Sequence, residues 1–158
     1  ARTVVKIAPM IFAKHWAATL DDYAIDLAWS PDGTMLAAAA QSGAITLHDA
    51  ATGTVRGTLS GHEDGTNVVA WSPDGTLLAS GGQDGAVKIW NSTTGAQVAA
   101  TGLGSAWVEH LAWSSTGGTP ALLFAAAGRK LAALRADGTI AHTFPDAPKT
   151  ISAMAVQA

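Results

Sequence analysis

Trp29-Ser30-Pro31-Asp32-Gly33 recurs as Trp71-Ser72-Pro73-Asp74-Gly75, and a degraded copy opens at Trp113, each copy starting 42 residues after the last. A fixed period of this length marks a chain built by repeating one supersecondary unit. Other landmarks keep the phase. Gly43 and Gly85 are 42 apart, as are Gly53 and Gly95, whereas Gly95 and Gly138 are 43 apart, which puts one extra residue in the third copy near Thr119-Pro120.

Inside one period the segments are short, alternate in polarity and end in turn residues, the pattern of antiparallel strands. In the second copy residues 67–71 read as a strand with Val69 and Trp71 on one face, and Ser72-Pro73-Asp74-Gly75 as the turn that follows. Proline presets φ there and glycine accepts a positive φ. Residues 77–81, 87–90 and 97–101 complete the set, separated by Gln83-Asp84-Gly85 and Ser92-Thr93-Thr94-Gly95. Four short strands in about 40 residues make the blade of a β-propeller. The expected fold is therefore all-β, with three full blades of four antiparallel strands and partial blades at both termini.

Composition narrows the function classes. Hydrophobic residues make up 48% of the 158 and charged residues 13%, so the chain is a folded one with extensive burial. A net charge of −3 with scattered basic residues supplies no positive stripe for a phosphate backbone, which argues against nucleic acid as a partner. Without cysteine there is no disulfide, thiolate metal site or cysteine nucleophile. The apolar run 8–12 is too short for a membrane span. A cytoplasmic protein with no membrane association and no cofactor is the expectation.

The second copy resembles the WD40 repeat family. It carries Gly61-His62 before the first strand, the Trp-Ser-Pro-Asp-Gly turn, Asp84 in a tight turn, and Trp90-Asn91 where the family has Trp-Asp. The resemblance covers roughly residues 21–147, and the alanine-rich strands are similar to those of bacterial members. It implies a hydrogen-bonded chain through His62, Ser80, Asp84 and Trp90, in which each buried polar group finds a partner. The same residue types suit a hydrolase triad, but their spacing puts them inside a blade, away from any substrate, so no catalytic residue is assigned. The first copy has Ala38, Ser42 and His48 at the positions of Ser80, Asp84 and Trp90. The third has Gly104 or Ala106 near the histidine position, Gly128-Arg129 for the Asp-Gly turn and Leu134-Arg135 for Trp-Asp. Only one blade is expected to be pinned by polar contacts. Trp29, Leu36, Leu47, Trp113, Leu122 and Leu134 are expected to hold the others by apolar packing.

Residues 21–60, 61–102 and 103–146 thus read as full repeats of a single partial propeller. Residues 150–156, within the final segment 147–158, alternate like one further first strand, and 3–7 with 15–20, within 1–20, read as two strands of a preceding blade. Propellers run to about 4 to 8 blades, and three and a fraction leave two apolar faces and free strand edges open. A homodimer closing a ring of about eight blades covers both. A segment of a longer propeller, or pairing with a different subunit, answers the same need.

What the resemblance implies for function is a non-enzymatic protein-interaction scaffold that binds a protein or peptide on one face. Tyr23, Gln41, Gln83, Trp107 and Glu109 are the residues it exposes there. Trp107 is the sharpest, because Gly65 and Tyr23 hold its place in the other copies; it serves either as an anchor or as packing beneath a loop. Glu109 and His110 are neighbours in a strand and point to opposite faces, so they do not converge on one atom. Asp26 sits at the position of His110, and a polar ring near the channel would suit a small ligand or a substrate, the competing reading. His15, His48 and His142 lack metal-ligand spacing.

Overall fold

The computed structural model describes residues 15–114 and 120–155. They form twelve strands in three antiparallel sheets, each a meander of four consecutive strands. The first sheet holds β1 (Ala24–Trp29), β2 (Met35–Ala40), β3 (Ile45–Asp49) and β4 (Val55–Leu59). The second holds β5 (Thr66–Trp71), β6 (Leu77–Gly82), β7 (Ala86–Asn91) and β8 (Gln97–Gly102), and the third β9 (Val108–Trp113), β10 (Leu123–Ala127), β11 (Lys130–Leu134) and β12 (Ile140–Thr143). There is no helix among the described residues.

Turn chemistry fixes where each first hairpin reverses. Asp74 accepts from the Ser72 hydroxyl at 2.6 Å and from the Thr76 amide at 3.1 Å, while Leu77 N donates to Ser72 Oγ at 3.0 Å. Asp32 repeats this with Ser30 and Thr34. The donated hydroxyls hold both carboxyls below the usual range. The third sheet departs from this plan. Trp113 faces Leu123 where Trp71 faces Leu78, so its first hairpin is three residues longer, and the two later turns are each one residue shorter. The single insertion expected near Thr119-Pro120 is the net of these three changes; residues 115–119 lie outside those described.

Successive strand residues point to opposite faces, so each sheet serves two cores. Leu78 and Trp90 pack with Ala37, Ala39, Ile45 and Leu47 between the first two sheets. Their neighbours Ala79 and Ile89 pack with Val108, Trp113, Leu123 and Leu134 between the second and third.

The periodic tryptophans bridge sheets. Trp71 Nε1 donates to the Ala28 carbonyl of β1 at 2.9 Å, and Trp113 Nε1 to the Ala70 carbonyl of β5 at 3.1 Å. Each indole therefore reaches back one sheet. Trp71 is 9% exposed and Trp113 8%, but Trp29 is 56% exposed. The packing expected of Trp29 is absent because no described sheet precedes β1. Leu27 lies on the same face and is exposed with it; a bulge between Ala24 and Asp26 breaks the alternation before it, where Tyr23 and Ile25 are also exposed.

Neither terminal segment is a strand in the described residues: 15–20 and 150–155 have no ladder partner. Residues 3–7 and Val156, which complete the terminal strands read from sequence, lie outside those described.

Candidate functional site

The second sheet contains a connected polar chain. His62 enters it because Gly82 has no side chain: a Cβ there would stand 2.3 Å from the imidazole Cγ. The positions that pair alike in the other two sheets are Ala40 and Ala127, and the loops leading into those sheets carry no histidine at the place of His62. His62 Nδ1–H donates to Asp84, with Oδ1 at 2.9 Å and Oδ2 at 3.0 Å. The Ser80 hydroxyl donates to Nε2 at 2.9 Å and accepts from Trp90 Nε1–H at 2.9 Å. Asp84 also accepts from the Ala86 amide at 3.0 Å, which ties the chain to the turn. One neutral tautomer satisfies every partner. Ser80 is fully buried and its oxygen is already occupied from both sides, so the residues of the triad-like reading are arranged as a brace between strands.

Burial lowers the His62 pKa; the Asp84 carboxylate opposes that shift, and the Lys88 ammonium adds to it. Lys88 itself was not singled out by sequence. Its Nζ donates to the Gly61 carbonyl at 2.6 Å, and Lys130, one repeat on, donates to the Leu103 carbonyl at 3.1 Å. The signal available was the spacing of 42 between the two lysines. Asn91, standing where the family has aspartate, accepts from the Thr93 and Thr94 amides at 3.0 and 2.9 Å. Asp49 does the same with Ala51 and Thr52 in the first sheet, so the amide oxygen replaces the carboxylate in the turn. The Arg56 guanidinium and those amides hold the Asp49 carboxyl down at about 2.

The five rim residues lie along one end of the sheets. Gln41 N donates to the Tyr23 carbonyl at 2.9 Å, and Gln83 N donates to the Gly65 carbonyl at 3.0 Å, so in the first two sheets the end of the second strand closes on the segment before the first. Tyr23 is 80% exposed and Trp107 51%, so Trp107 is not packed beneath a loop. Glu109 is exposed in β9 and Gln83 is half-buried, its Nε2 3.4 Å from Asn67 Oδ1. A whole sheet separates Tyr23 from Trp107, and no described hydrogen bond joins the five side chains to one another.

Polar groups on the first strands join sheets. Asp26 Oδ2 accepts from the Val69 amide at 2.9 Å, Asn67 Nδ2 donates to the Val108 carbonyl at 3.4 Å, and His110 Nε2 meets the Ile151 carbonyl at 3.1 Å. Asp26 and His110 thus hold neighbouring segments. His48 Nδ1 bonds the Gly53 carbonyl at 3.1 Å, and His142 packs edge-on against Phe144 with ring centres 4.5 Å apart. The described residues contain no cluster of three metal-ligating side chains.

Gly82→Ala is expected to lower stability by about 1 to 3 kcal/mol, since the added methyl meets a ring braced on both sides. Urea melts read this directly, and a midpoint equal to wild type contradicts the packing. The lowered His62 pKa also has a pH signature. The unfolded chain takes up its proton first, so this contribution is intact above about pH 6.5 and is lost as pH falls towards the folded pKa. Wild type is expected to lose more stability between pH 7 and 5 than His62→Gln, and parallel slopes contradict the assignment.

The WD domain, G-beta repeat family matches residues 53–91, and the anaphase-promoting complex subunit 4 WD40 domain family matches residues 10–71. No curated protein matches the chain in sequence. Among solved structures, U3-55K aligns over 84% of this chain and 42% of its own, at 20% identity and a TM-score of 0.77. The RRP9 WD40 repeats align over the same shares at 20% identity and 0.76. A chain of the mitotic checkpoint complex aligns over 80% of this chain and 40% of its own, at 30% identity and 0.72. This chain spans less than half the length of each of these structures. Its described residues have the fold of three consecutive WD40-type propeller blades.

Proposed function

We propose that this chain is a non-enzymatic interaction scaffold whose propeller is completed by a second copy, giving a ring of about eight blades. The observation that carries the reading is the face of β1. Leu27 and Trp29 are exposed together on one side of a strand whose counterparts in the other blades hold buried tryptophans, and Ile25 beside them is exposed as well. A contiguous apolar face of this kind marks an interface. The terminal segments 1–20 and 147–158 act as the partial blades of this reading.

The rim supplies the docking platform for a protein or peptide. Trp107 and Tyr23 offer aromatic area at low entropic cost, with Gln41, Gln83 and Glu109 as polar neighbours, an arrangement suited to an extended segment crossing two blades. The similar chain in the mitotic checkpoint complex belongs to a multiprotein assembly, which favours the same use here. The alanine-rich strands and the lack of cysteine fit a bacterial, cytoplasmic member of the family. A substrate in the central channel is a weaker reading, because Asp26 and His110 are engaged with backbone groups of neighbouring segments.

Light scattering after gel filtration is expected to give twice the 15.9 kDa of one chain. A compact species at 15.9 kDa contradicts completion by a second copy.

A further inference from the structure

We infer that the two copies meet in a composite blade: residues 151–155 of one copy lie against the β1 face of the other as an inner strand, and Trp29 Nε1 donates to the Ala155 carbonyl across that junction. This rests on the two-copy reading above and specifies its contact.

The described segments at both ends already occupy blade positions. A Cβ on Gly95 would meet Leu59 at the end of β4, and one on Gly138 would meet Ala99 in β8. Both glycines therefore pack on the fourth strand of the preceding blade. Gly53, the same position in the first blade, packs on the Trp16 ring. Trp16 Nε1 also donates to the Ala50 carbonyl at 2.8 Å, and its ring stacks on His48 with centres 6.2 Å apart. Trp16 thus stands where the outer strand of a preceding blade belongs.

The other end takes the place of an inner strand. The Ile151 carbonyl faces His110 Nε2 at 3.1 Å, so this segment lies beside β9 as β9 lies beside β5. Ile151 follows Val108 by the 43-residue period of the third copy. Carrying that register along the strand, the alanine carbonyls that receive indoles, Ala28 and Ala70, continue at Ala112 and Ala155. Trp29 is the described indole of this series with no acceptor among the described residues.

One copy therefore presents a segment in the place of an outer strand beside the exposed side of β1, and a segment in the place of an inner strand with no ladder neighbour. Three blades separate the two within a copy, which sets them on opposite sides of a ring of about eight. A half-turn brings each to its complement in the other copy and makes both junctions alike, so assembly stops at two.

In the internal junction Asp26 reaches the Val69 amide at 2.9 Å. The same pair across the copies is Ala153 and Leu27. The chain has no cysteine, so Ala153→Cys and Leu27→Cys chains can be mixed and oxidised without background. The mixture is expected to give a disulfide-linked dimer that neither variant forms alone. Trp29→Phe, which keeps the apolar area and removes the donor, is expected to weaken dimerisation about twenty-five-fold, roughly five-fold for each of two lost bonds. An assembly that remains dimeric by light scattering but gives no mixed disulfide, or a Trp29→Phe dimer as tight as wild type, overturns this junction and leaves the two-copy reading standing. A wild-type monomer overturns both.

Discussion

The indole hydrogen bond from one first strand to the carbonyl of the first strand before it is the contact on which this architecture turns. A sheet with two apolar faces is not stable alone, so each blade needs a neighbour on both sides. Apolar burial drives the sheets together but is indifferent to register. A donor that reaches a single carbonyl fixes how far one sheet slides against the next. Trp71 and Trp113 do this with acceptors one repeat apart, which keeps the sheets in phase around a common axis.

The polar chain in the second blade answers a different need. His62, Ser80, Asp84 and Trp90 brace the loop before the first strand, the second strand, the tight turn and the third strand against one another. The first blade has His48 at the tryptophan position and holds its third hairpin by a bond to Gly53 instead. Lys130 supports the loop of the third blade in the way Lys88 supports that of the second. The expectation that only one blade carries polar bracing therefore holds for the four-residue chain but not for polar contacts in general, because backbone carbonyls give every blade acceptors that side-chain identity does not reveal.

Much of the fold was legible in the sequence. The spacing of Trp29, Trp71 and Trp113 marks the period, and glycine with aspartate marks the turns, because turn geometry is a local demand that residue type answers directly. The His62 chain was legible through resemblance, and the glycine at 82 was the unread sign of where the imidazole would fit. The direction of the tryptophan bonds was not legible, since a period says that residues are equivalent without saying what they touch. The three compensating length changes in the third blade were hidden for a similar reason: landmarks at the ends of a repeat register only the net. The environment of Trp29 depends on what precedes β1, which lies beyond anything local pattern encodes.

Whether the β1 face is covered in the assembled protein decides how the ring is completed. Hydroxyl-radical footprinting with mass spectrometry over a concentration series separates the tryptophans, since the rim residue Trp107 serves as an exposed reference and Trp71 as a buried one. Oxidation of Trp29 is predicted to fall towards that of Trp71 as concentration rises while Trp107 stays reactive. Trp29 remaining as reactive as Trp107 at every concentration would contradict the account.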